Sequence, residues 1–190
     1  KLGKQSGCLF YIPAWKTSKI DPVTGFINMF TNLKYESVEK SKKFFSKFDD
    51  IRYNKEKNRF EFDVSFDKFD SDFVRITQES KLHWTLCSVG QRIELVKENN
   101  GYKPNEINLT DAFKSVFNTN KIEINTAKLN REIGKINDTA FFKELMRLMK
   151  LLLQMRNSKP NSIEKNDDYI ISPVADENGV FFDSSKVEDN

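Results

Sequence analysis

Arg156 stands at the end of the run Leu151-Leu152-Leu153-Gln154-Met155-Arg156-Asn157-Ser158, a guanidinium closing an otherwise apolar stretch. Its fork of donors suits bidentate contact with a phosphate, provided that packing holds its stem rigid beside a cleft. A second reading needs no chemistry, because cations are favoured near helix C-termini and a long stem can snorkel from an apolar base. Asp63 followed by Glu79-Ser80-Lys81 loosely fits the two-acids-and-a-lysine pattern of metal-dependent nucleases, although a chain this rich in acids and lysines yields such spacings by chance. Asp167 and Asp168 are adjacent acids in a polar stretch, which can hold a cation or simply be solvated. Lys4, Lys16, Lys19, Lys34 and Arg92 lie in or near loops with aromatic neighbours, a composition that suits a single-stranded backbone with stacked bases.

The remaining reactive types are few. His83 is the only histidine, and it falls on the face opposite Leu82, Trp84 and Leu86, where it reads as a solvent-facing strand residue rather than a base. Cys8 and Cys87 sit in runs that read as strands without a CxxC partner, so both are expected as reduced, buried thiols and no metal site is expected.

These residues must be positioned by one domain or by one domain with an insertion, since the chain has 190 residues. Hydrophobic residues make up 38% and 17 are Phe, so the core should be built from rings and disorder is excluded over most of the length. A net charge of +3 means that any nucleic-acid contact must come from local clustering. No apolar run reaches the roughly 20 residues of a membrane helix, and no signal peptide precedes the first strand, which leads to the expectation of a cytoplasmic protein. The absence of an initial Met and the stop at Asn190 read as fragment boundaries.

Residues Cys8 to Ile12 read as a strand feeding a long loop from Pro13 to Gly25. Ser37 is placed to cap a helix carrying Phe44, Phe45 and Phe48 on one side, ending at Asp49-Asp50. Arg59 to Phe66 alternates as a half-buried strand with Phe60, Phe62, Val64 and Phe66 inward. Leu82 to Ser88 reads as a strand, with Arg92 to Val96 as its hairpin mate after Gly90. Asn99-Asn100-Gly101 is a turn, Thr110 a cap for a short helix through Phe117, and Ile122 to Ile124 another strand. Asp138 caps a long buried helix from about Thr139 to Arg156, with Lys143, Arg147, Lys150 and Gln154 as its polar stripe and Pro160 as its stop. On the same count Arg156 falls roughly 160° from that stripe, in register with Phe142, Leu145, Met149 and Leu152. Lys159 to Asn166 reads as a flexible loop. The order of elements predicts an α+β domain, antiparallel sheet with several helices.

Leu153-Gln154-Met155-Arg156-Asn157-Ser158, Asp168-Tyr169-Ile170-Ile171-Ser172-Pro173-Val174 and Gly179-Val180-Phe181-Phe182-Asp183-Ser184 resemble the type V-A CRISPR RNA-guided DNA endonucleases. The resemblance recurs in Gly3-Lys4-Gln5-Ser6-Gly7, Tyr11-Ile12-Pro13-Ala14, Thr17-Ser18-Lys19-Ile20-Asp21-Pro22, Thr24-Gly25-Phe26 and Ser88-Val89-Gly90-Gln91-Arg92-Ile93. It implies the Nuc domain, residues 1–190, inserted within a RuvC nuclease, with the ends (about 1–12 and 170–190) leading into the flanking RuvC segments. Arg156 then matches an arginine needed for efficient cutting of the target strand, Ser158 the serine two places on, and Asp168 an aspartate that orients Arg156 or a neighbouring amide. The resemblance further implies target and non-target DNA strands, the RuvC domain and a guide RNA as partners, in a bacterial cytoplasm. Mg²⁺ would be bound by RuvC carboxylates that lie outside this sequence, so the 190 residues alone are expected to cut DNA poorly or not at all. His83 stands where relatives place lysine before the tryptophan, a contact that this chain would lack.

The expected function is thus an accessory DNA-handling domain that guides a strand into the RuvC site and assists phosphodiester cleavage through Arg156. Two alternatives stay open: an independent metal-dependent nuclease using Asp63, Glu79 and Lys81, and a module that only packs against neighbouring domains.

Overall fold

A computed structural model describes residues 19–21, 23–30, 33–69, 83–99, 101–158 and 168–186. The element order is α1 (Val38–Phe45), β1 (Asp50–Asn54), β2 (Arg59–Ser65), β3 (His83–Cys87), β4 (Gln91–Glu98), β5 (Gly101–Asn108), α2 (Leu109–Thr119), α3 (Leu129–Lys135), α4 (Thr139–Leu152), β6 (Arg156–Ser158) and β7 (Asp168–Ile170). All strand pairs are antiparallel: β1-β2-β3 form one sheet, β4-β5 a ribbon and β6-β7 a short ladder. The α+β class read from the sequence is the class observed.

The alternation of β2 sends Phe60, Phe62 and Val64 onto one face, where they meet Ile51 of β1 and Trp84 and Leu86 of β3 in the core. The rings of α2 seat directly on that face, with Phe113 5.6 Å from Phe60 and 5.3 Å from Phe62, and Phe117 5.2 Å from Phe60. Through Phe117–Phe141 contact the sheet reaches α4, whose Phe142, Leu145, Leu148, Met149 and Leu152 are fully enclosed. Such ring pairs contribute beyond their buried area because edges meet faces.

The other face of β2 was expected at the surface and is instead covered. Arg59, Glu61 and Ser65 are buried. Arg52 of β1 reaches across to Asp50, Glu61 and Asp63, while Arg59 donates to Glu61 at 2.8 Å. Phe181 packs against the Arg59 guanidinium at 5.2 Å. Charge pairing within the sheet is what permits the burial.

Helix ends follow their caps. Ser37 Oγ accepts from Lys40 N, as expected, and Asp138 Oδ1 accepts from Phe141 N at 2.6 Å. At α2 the cap is Asn108, not Thr110: Asn108 Oδ1 accepts from Asp111 N, while the buried Thr110 hydroxyl donates to the Ser88 carbonyl.

Three further expectations are corrected. β3 pairs with β2 rather than with β4, because Gly90 at φ +79° turns the chain away and a Cβ there would lie 2.6 Å from Ile171 Cδ1. β4 finds its mate in β5 across the Asn99–Gly101 turn, with Glu98 opposite Gly101. Ile122 to Ile124 form no strand, since Ile122 N donates to the Phe117 carbonyl in the turn that closes α2. The strand β1 and the helix α3 were not anticipated, being short and weakly patterned. The expected strand Cys8–Ile12, the loop Lys159–Asn166 and Asp167 lie outside the described residues.

Among the described residues no helix is long and apolar enough to cross a membrane. Phe113 is fully enclosed between sheet and helix, so Phe113→Ala should cost about 3–5 kcal/mol, whereas Asp138→Ala should cost about 1 kcal/mol. Urea unfolding of the two variants measures the difference.

Candidate functional site

The helix that was expected to run to Arg156 stops at Leu152. Leu153 N and Gln154 N complete its last turn by donating to Met149 and Leu151 carbonyls. The chain then extends, and Ile171 N donates to the Met155 carbonyl at 2.8 Å, drawing residues 155–158 onto the returning strand. Arg156 pairs with Ile170, Asn157 with Tyr169 and Ser158 with Asp168. Arg156 is therefore not on the buried side of a helix. It is an exposed residue at the start of β6.

The base beneath it is rigid. Asn157 is fully enclosed, and its Oδ1 accepts from Ile93 N and from Gln154 Nε2, each at 3.3 Å. Gln154 Nε2 also lies 3.1 Å from the Arg156 carbonyl and 3.3 Å from that of Ile93. On the far strand, Ile170 N donates to Ser184 Oγ at 2.8 Å. One exposed cation thus sits on a two-stranded ladder whose alternate residue is locked into β4 and the end of α4.

Ser158 and Asp168 are register partners in the ladder, and Asp168 is the diagonal neighbour of Arg156 in that register. Register brings these three expected site residues together. Sequence reasoning missed Gln154 and Asn157, the two amides that fix the hairpin. Their signal was present in the motif, where two amide side chains flank the arginine, yet a helical reading assigned Gln154 to a solvent stripe.

The five candidate nucleic-acid residues separate. Lys4 and Lys16 lie outside the described residues. Lys19 is half-buried, its carbonyl accepting from Asn28 N, and Asn28 Nδ2 donates to the Leu153 carbonyl at 3.1 Å. Lys34 is exposed. Arg92 is not a surface cation at all: its side chain is fully enclosed, and Nη1 donates to the carbonyls of Val89 and Gln91 at 3.1 Å. Burial pushes its pKa down to about 10, against the opposing pull of Tyr169 and Asp183. Alternation places Arg92 inward here because Gly90 sets the start of β4 against Ile171.

Asp63 is engaged, taking the Arg52 guanidinium and the Thr85 hydroxyl. The hydrogen bond that Arg52 donates to Asp63 holds the Arg52 pKa above its ordinary range. Burial works to raise the Glu61 pKa, but the hydrogen bond and charge of Arg59 outweigh it and keep that carboxyl below the usual range. Glu79 and Lys81 lie outside the described residues. Asp50, Glu61 and Asp63 all turn toward Arg52, and among the described residues no group of three or more His, Cys, Asp or Glu is placed to hold a metal ion.

A cleft of about 750 Å³ opens beside that charged face, lined by Asp63, His83, Cys87 and the turn at Asp176–Gly179. His83 is exposed, as expected, with Nδ1 2.9 Å from Ser65 Oγ. Cys87 is buried and unpaired, and burial pushes its pKa up to about 12. Cys8 lies outside the described residues.

Two motif stretches far apart in sequence meet behind the hairpin. Asp21, fully enclosed, accepts from Val23 N, Thr24 Oγ1 and the Ser172 hydroxyl. The loop at Thr24-Gly25-Phe26 is thereby tied to Ile171–Val174, with Gly25 at φ +71° allowing the turn.

The family model described as Nuclease domain (NUC) matches residues 20–186, and the chain belongs to that family, the Nuc domain of type V-A CRISPR effector endonucleases.

Two outcomes test these assignments. Arg92→Met should leave affinity for single-stranded DNA within about twofold, with an unchanged salt slope, as binding titrations measure. A thiol whose pKa rises from 9.0 unfolded to about 12 folded contributes stability present below pH 9 and lost toward pH 12. Urea unfolding between pH 9 and 11 should therefore decline more steeply for the natural chain than for Cys87→Ala.

Proposed function

We propose that this domain guides a DNA strand into the RuvC site of its parent endonuclease and assists phosphodiester cleavage through Arg156. The observation that carries the reading is the combination of exposure at Arg156 with complete enclosure of its neighbour Asn157. A guanidinium carried on a strand held in this way is suited to meet a phosphate, and electrostatic assistance depends on such positioning. Planar, paired donors match two phosphate oxygens at once. The RuvC carboxylates supply the metal-dependent chemistry from outside this sequence, and Arg156 holds or steers the scissile phosphate toward them. Ser158 and Asp168 pair two register positions along the ladder from Arg156, and Asp168 is assigned to orient Arg156 or a neighbouring amide. Family membership supports the nuclease context.

The test uses the parent effector with guide RNA and Mg²⁺. Arg156→Ala should keep guide-dependent DNA binding within about twofold and slow cutting roughly a hundredfold, more on one strand than the other. Arg156→Lys, which keeps the charge and loses the fork, should fall between. Normal rates on both strands for the alanine variant overturn the reading.

A further inference from the structure

A strand that reaches Arg156 needs a path to it, and two adjoining hollows beside α1 and the end of α4 have the chemistry of one. The first, about 240 Å³, is walled by Phe30, Phe44 and Phe69 and rimmed by Lys34, Lys40 and Lys47. The second, about 350 Å³, shares Phe30, Leu33 and Lys34 with the first and adds Asn28, Lys150 and Leu153. Leu153 lies three residues before Arg156 along the chain.

The aromatic wall is built, not incidental. Phe30 and Phe69 meet edge to face at 4.9 Å, and Phe44 sits 6.0 Å and 5.8 Å from them. Phe48 backs all three from the core, within 6.1 Å of each. Phe44 and Phe69 are only partly buried, so ring surface remains accessible. The Lys47 ammonium stands 5.2 Å from the centre of the Phe69 ring, placing a cation at the edge of the apolar wall.

Among the described residues that line the hollows, charge is one-sided. Lys34, Lys40 and Lys150 are exposed and Lys47 half-exposed. Glu36 is the one carboxylate among the lining residues, and Lys40 already holds it in an ion pair. Lys34, Lys47 and Lys150 keep their charge for a partner rich in anions. An acidic peptide would answer the lysines and leave the rings uncovered. Duplex DNA presents phosphates while its bases stay stacked inside. A single strand answers both, since unstacked bases find rings and the backbone tracks the cations.

We infer that these joined hollows bind single-stranded DNA, with bases against the Phe30–Phe44–Phe69 wall and phosphates along Lys47, Lys34 and Lys150 toward Arg156. The direction of the path rests on the role proposed for Arg156; the binding itself does not.

The experiment titrates the chain with a fluorescein-labelled single-stranded oligonucleotide at several salt concentrations, beside an abasic strand of equal length. Replacing Lys34, Lys47 and Lys150 together by Gln should weaken binding at least tenfold and reduce the log–log salt slope by about 2. The abasic strand should bind several-fold more weakly to the natural chain, because it offers phosphates without bases to stack. An oligonucleotide carrying 5-iodouracil should photo-crosslink to peptides bearing Phe30, Phe44 or Phe69. Unchanged affinity and slope in the triple variant, equal binding of the abasic strand, or crosslinks confined to other peptides would each overturn the inference. Normal cutting by Arg156→Ala beside weakened binding by the triple variant would sink the cleavage role and keep the track. The reverse pattern would sink the track and keep the cleavage role.

Discussion

The enclosure of the Asn157 amide is the constraint from which the geometry around Arg156 follows. A buried carboxamide oxygen needs a donor, and leaving it unmet costs on the order of 1–3 kcal/mol. Here that oxygen takes a main-chain donor from β4 and a side-chain donor from the end of α4, so it joins three elements at a single atom. With Asn157 so placed, the chain has left the helix after Leu152 and runs extended from Arg156 to Ser158. Exposure of Arg156 is the other half of that alternation. The cation is where it is because its neighbour is where it must be.

Charge is handled in two different ways on the two sides of the molecule. On the covered face of β2, guanidinium and carboxylate groups neutralise one another at close range, and Arg52 and Arg59 are used up by Asp50, Glu61 and Asp63. Around α1 and α4 the lysines outnumber the acids and stay hydrated. A net charge of +3 conceals that asymmetry. Buried pairs of the first kind do not recruit a polyanion, whereas separated surface cations of the second kind do.

Much of the fold was legible because strong periodicity leaves little choice. The β2 alternation from Phe60 to Val64, the caps at Ser37 and Asp138 and the apolar side of α4 all stand as read. What escaped was set by partners distant in sequence. Gly90 redirects the strand after Cys87 because Ile171 stands in the way, and no local pattern announces Ile171. Arg92 looked like a loop cation and is a core residue for the same reason. At the site, the arginine and its companions at Ser158 and Asp168 were found through their motif, while the supporting amides and the end of the helix were not. Helical periodicity in Leu148 to Leu152 runs on smoothly toward Arg156, and only a ladder formed with residues 168–170 interrupts it.

The contact between Asp21 and Ser172 spans 151 positions of sequence, and it has a topological consequence. Bringing two such points together costs on the order of 4 kcal/mol of chain entropy, which the enclosed carboxylate and its three donors help to offset. Once made, the contact holds the turn at Thr24-Gly25-Phe26 against Ile171–Val174, so two stretches far apart in sequence share one enclosed carboxylate and must shift together or not at all.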